Sequence, residues 1–81
     1  MVLEMASGFK IIRFSDSRFN EITVEVQFRE EQIAQLNKDK GIDKIEIELF
    51  TEFVEENFSP CFALDEFMAA LREAKDILKN S

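Results

Sequence analysis

The groups in this 81-residue chain whose type and spacing could do chemistry are carboxylates. Glu46 and Glu48 stand two apart, and Glu52, Glu55 and Glu56 follow close behind. Paired carboxylates can hold a hard divalent cation, or divide the work of general acid and general base between them. The ligand spacing of a calcium-binding loop is absent, however, and 17 acids in 81 residues bring such pairs together by chance. They are read as a solvated charged face, and neither a metal nor a cofactor is expected.

Other chemistries fail for want of residues. Histidine is absent, which removes imidazole acid/base catalysis, Ser-His-Asp and Cys-His nucleophiles, and every metal site that needs an imidazole. Cys61 is the only cysteine, so no internal disulfide or Cys-x-x-Cys pair can form. Its neighbours Pro60 and Phe62 bring no cation to lower its pKa, and it is expected to be a buried, inert thiol. With glycine only at positions 8 and 41, neither phosphate-binding glycine motif can be written. The chain is therefore expected not to be an enzyme.

Charge points instead to a partner. The net charge is −7, which opposes binding to nucleic acid or an anionic membrane. Between positions 43 and 66 lie eight acids and one base, Lys44, so the whole imbalance falls in that stretch. An electrostatically recruited partner is basic.

These residues must be positioned by a small fold. Eighty-one residues are expected to make one domain, with a composition of 46% hydrophobic and 33% charged residues typical of globular chains. Met1 to Ala6 lacks the basic leader and apolar length of a signal peptide, and no run reaches the ~18 apolar residues of a membrane helix, so a cytoplasmic location is expected. Phe9 to Phe14 reads as a first strand after Gly8. Glu21 to Arg29 alternates, with Ile22, Val24, Val26 and Phe28 on one side and polar residues on the other, giving a second strand.

From Glu30 to Lys40 the pattern changes. Ile33 and Leu36 share a helical face, Glu30 and Glu31 suit a helix start, Lys38 and Lys40 suit its end, and Gly41 suits the left-handed closing residue. Lys44 to Leu49 alternates as a third strand, with Glu46 and Glu48 on its wet face. Residues 50–58 read as strand continuation or irregular loop, with a helix left open, before Pro60 breaks the chain. Leu64 to Lys79 carries apolar residues at helical spacing and is a long amphipathic helix. The expected fold is a small α+β domain, ordered β-β-α-β-α. It has a mostly antiparallel sheet of three to four strands, two helices on one face and the other face solvated.

Five phenylalanines, Phe50, Phe53, Phe58, Phe62 and Phe67, interleave with the acids. A thin core needs such rings, yet a strand continued through 50–53 would turn Phe50 and Phe53 to opposite sides and expose one. An exposed ring bordered by carboxylates has the composition of a binding patch. The candidate partner-binding residues are Phe50, Glu52, Phe53, Glu55, Glu56, Phe58, Glu46 and Glu48. Small size, acidity and missing catalytic groups resemble the class features of immunity proteins of bacterial toxin systems, whose targets are often basic nucleases. The expectation is a non-enzymatic protein that captures a basic protein, as an inhibitor, antitoxin or immunity protein does. The alternative is a structural or regulatory homodimeric subunit with no charged partner.

Overall fold

The computed structural model describes residues 1–81 and is an α+β fold. Five strands, β1 (Val2–Glu4), β2 (Phe9–Phe14), β3 (Thr23–Phe28), β4 (Glu31–Asn37) and β5 (Glu46–Leu49), precede one helix, α1 (Leu64–Lys79). The strands form one antiparallel sheet in sequence order, a meander with tight connections between β1 and β2 and between β3 and β4 and longer loops between β2 and β3 and between β4 and β5.

The alternation of β2 and β3 sets the two faces. Phe9, Ile11, Val24 and Val26 point to one side, and Ala34 and Leu36 of β4 lie beside them through the pairs Val26↔Ala34 and Val24↔Leu36. On α1, Ala70, Ala74 and Leu78 recur every fourth residue and are fully buried against this side. Two alanines in the contact stripe let the helix backbone approach the sheet closely. Phe62 fills the end of the core, with its ring centroid 5.0 Å from Phe9, 4.8 Å from Phe28 and 5.5 Å from Phe67. The helix lies over β2, β3 and β4 and stops short of β5.

Three features differ from the sequence expectation. The stretch from 30 to 40 is strand β4 instead of a helix, so the sheet has five strands and a single helix covers it. The cause is twofold. Arg29 and Glu30 both adopt positive φ, 51° and 68°, between the paired Phe28 and Glu31, making a two-residue hairpin turn without the Asn-Gly signature that usually marks it. The register then shifts: Val26 pairs with Ala34 and Gln27 with Gln32, so Ile33 is an extra residue that breaks the period-two pattern. Gly41 does have positive φ, 118°, but it closes a turn whose N–H donates to the Lys38 carbonyl, and no helix precedes it.

The third difference is the face turned away from α1, which is not simply solvated. Thr23, Glu25, Gln35 and Asn37 are buried there. A buried polar group is costly unless paired, and each of these is paired. The Thr23 hydroxyl donates to the Phe14 carbonyl, the Glu25 carboxylate accepts from the Gln27 and Gln32 amides, and Asn37 accepts from the Asp39 N–H. The β2–β3 loop folds over this face, where Gln35 donates to Asp16 and accepts from Arg18. The short strand β1, pairing with β2 at the far edge, carried no sequence signal beyond its apolar residues.

Candidate partner-binding surface

The chain from 50 to 62 crosses from β5 back to α1 without regular structure, and it is fastened at several points. Its first amide, Phe50 N–H, donates to the Ile33 carbonyl at 3.0 Å. The carboxylate of Glu31, only 4% exposed, accepts the N–H groups of Val54 at 2.8 Å and Glu55 at 2.7 Å. Phe53 and Phe58 meet edge to face, 4.8 Å between centroids, and pack against the core. A turn from Glu55 to Phe58 closes the loop, with the Phe58 N–H donating to the Glu55 carbonyl.

The fastening turns the remaining side chains outward. Val54 is 92% exposed, and Glu52, Glu55 and Glu56 around it are exposed and enter no ion pair. The rings behave otherwise than a continued strand would require. β5 ends at Leu49, and Phe50, Phe53 and Phe58 are all half-buried, so the exposed apolar group of the loop is Val54. Sequence reasoning missed it because a lone valine among acids carries no periodic signal.

Glu46 and Glu48 stand apart from this loop in one respect. Each is bound to a cation: Lys40 Nζ lies 2.8 Å from Glu46, and the Arg18 guanidinium lies 3.0 Å from Glu48 and 3.1 Å from Asp16. The Arg18 main-chain N–H, the Gln35 amide and the Arg18 side chain all donate to Asp16, holding its pKa down from 3.8 to about 2. Glu48 and Asp16 in turn raise the Arg18 pKa, and Glu46 raises that of Lys40. The pairs of Glu46 and Glu48 are exposed and worth little stability individually, whereas the Asp16 side chain is only 16% exposed.

A groove runs between β5 and α1, where the helix fails to reach the edge strand. It encloses about 410 Å³ and is lined by Leu36, Ile42, Ile45, Ile47 and Leu71, with Asp43 and Glu46 beside them and Lys75 and Lys79 on the helix side. Ile47 in its strand wall, and Leu49 next along β5, remain exposed. The alternation of 44–49 turns Ile47 and Leu49 to the face that α1 packs on, beside Leu36 and Ala34, yet both stay exposed because α1 stops short of β5. Cys61 is exposed, contrary to the expected buried thiol, because it lies in the loop ahead of the helix. No group of three or more Cys, Asp or Glu side chains is placed to hold a metal ion, and no helix is long and apolar enough to cross a membrane.

No family model, curated protein or solved structure matches this chain. The functional reading rests on the geometry above.

Proposed function

We propose that the protein is a non-enzymatic, cytoplasmic binding protein that captures a basic protein partner through the acidic loop after β5, in the manner of an inhibitor, antitoxin or immunity protein. The observation that carries this reading is the loop's combination of fixed backbone and displayed side chains. Glu31 is buried to hold the Val54 and Glu55 amides, while Val54 and the unpaired Glu52, Glu55 and Glu56 face outward. A solvated loop has no need of a buried carboxylate to fix its tip. A binding loop does, because backbone ordered in advance is not ordered at the expense of affinity. The carboxylates steer a cationic surface during encounter, and Val54 with the flanking half-buried rings supplies apolar contact.

The test is capture of basic proteins from the native cell by immobilised protein, comparing wild type with E52K/E55K/E56K. Raising salt from 0.1 to 1 M shortens the screening length from about 10 Å to about 3 Å. The association rate of the captured partner is expected to fall at least ~10-fold with salt, and similarly on charge reversal at low salt. Capture unchanged by both would rule out an electrostatic mechanism.

A further inference from the structure

We infer that the edge of β5 is a docking site for an extended segment of the basic partner, added as a sixth strand with alternating basic and apolar side chains. This rests on the reading of the protein as a basic-partner binder and specifies how part of that partner is held. Three observations carry it.

The first is the set of unpaired main-chain groups. The Phe50 N–H donates to the Ile33 carbonyl. In an antiparallel ladder, hydrogen-bonded and non-hydrogen-bonded pairs alternate, so Glu48 bonds to Gln35 and Glu46 to Asn37, while Ile47 and Leu49 direct their N–H and C=O groups away from β4. The far side of the sheet agrees: Met5 N–H donates to the Phe9 carbonyl and Arg13 N–H to the Met1 carbonyl, and the same alternation carried across the strands gives the same result at β5. β5 ends the strand order, and all four of its residues are exposed.

The second is that the two sides of the edge differ. On the side of α1, Ile47 and Leu49 are exposed next to the groove, whose walls are mainly aliphatic, with Asp43 and Glu46 on one side and Lys75 and Lys79 on the helix. On the opposite side, Glu46 and Glu48 remain about half-exposed although each already holds one cation. A strand laid along β5 alternates its side chains between these environments. Apolar residues fit the groove side, whose walls are mainly aliphatic and set Asp43 and Glu46 against Lys75 and Lys79, and basic residues fit the opposite side, where the Glu46 and Glu48 carboxylates are displayed.

The third selects the occupant. A second copy pairing through its own β5 about a two-fold axis sets either Glu46 across from Glu48 or Glu48 across from itself. Like charges directly opposite oppose such pairing. The charge pattern of the edge thus turns away a self-copy and admits its electrostatic complement.

The experiment is amide hydrogen exchange read by NMR on the full chain, with the acetylated peptide Lys-Ile-Lys-Val-Lys-Ile-Lys as probe. The free protein is expected to exchange rapidly at Ile47 and Leu49 and slowly at Glu48. Saturating peptide is expected to slow exchange at Ile47 and Leu49 at least ~10-fold, in line with formation of an edge ladder. A peptide of the same composition with its lysines segregated at one end is expected to leave both amides unchanged. The L49P variant, which removes an outward donor and leaves the bonds to β4 in place, is expected to abolish the peptide's effect at Ile47 while Glu48 stays protected. Unchanged exchange at both amides, or equal slowing by the segregated peptide, overturns strand addition. Slowing that grows with protein concentration and without peptide overturns it in favour of a second copy. If the native partner is captured in a salt-sensitive way while Ile47 and Leu49 keep exchanging, strand addition fails and loop capture stands. If the peptide protects both amides while E52K/E55K/E56K leaves capture unchanged, the loop reading fails instead.

Discussion

A carboxylate withdrawn from water must be met by donors, and Glu31 is met by two main-chain amides of a loop more than twenty residues further along the chain. Removing it in E31A leaves those amides unpaired in a part-buried setting. Hydrogen bonds to a charged group are worth about 1.5–3 kcal/mol, so E31A should lose roughly 2–3 kcal/mol in urea unfolding, with E31Q intermediate because its amide keeps one acceptor. E31A should also weaken partner capture although its side chain is not displayed, since the loop then has to be ordered on binding. Asp16 makes a different prediction. Its pKa is depressed in the folded protein from 3.8 to about 2, so its contribution to stability is full above pH 3.8 and disappears as pH falls through about 2. The stability gap between wild type and D16N, measured by urea midpoints, should be largest above that window and close across it. A gap that widened on acidification would mean that Asp16 is not held by Arg18 and Gln35.

At the scale of the element, the β3–β4 hairpin shows what local sequence hides. Arg29 and Glu30 occupy left-handed backbone that non-glycine residues adopt at a cost of order 1 kcal/mol or more each. R29N/E30G supplies the residues such a turn prefers and should raise stability by ~1 kcal/mol. The loss of the exposed Glu30–Lys10 pair, 3.2 Å apart, subtracts little. The first hairpin runs the other way. Gly8 has φ of 101°, and a Cβ there would sit 3.0 Å from the Phe28 ring, so Gly8→Ala should lower the thermal midpoint. Where residue type and conformation agree, the element could be read in advance: Phe9–Phe14 is the strand that β-branched and aromatic content after Gly8 marks, Thr23–Phe28 and Glu46–Leu49 lie within the stretches that alternation marks, and Leu64–Lys79 is the helix that apolar spacing and end charges describe. Where they disagree, it could not. Arg29-Glu30 does not look like a turn, Ile33 interrupts the alternation, and the acids at 30 and 31 imitate a helix start, so β4 was hidden behind three local signals that tertiary pairing overrides. The acidic loop was visible as composition, whereas its anchoring by Glu31, and the groove beside it, depend on contacts between distant segments.

At the scale of the molecule, charge decides between association with itself and association with another protein. A chain of net charge −7 repels its own copies, and the edge that is geometrically open to pairing carries Glu46 and Glu48 in alternation with Ile47 and Leu49. The wild type should therefore remain monomeric by light scattering at millimolar concentration and moderate salt, despite a free edge and exposed apolar residues that would otherwise invite pairing. Reversing the pattern in E46K/E48K gives an edge that is basic and apolar in alternation, the complement of the original. That variant alone should also stay monomeric, since its edge again faces like charge. Mixed with wild type, it should form heterodimers through β5, with Glu48 of the native chain opposite the substituted position and Ile47 against Leu49. The fold should tolerate the change, because the pairs lost to Lys40 and Arg18 are exposed and contribute at most about 1 kcal/mol each. Native mass spectrometry of an isotopically labelled mixture separates the three species. Heterodimers that dissociate as salt is raised are the expected result. Homodimers of the wild type, or a mixture that stays monomeric while each partner is folded, would show that charge alternation along β5 does not govern what pairs there.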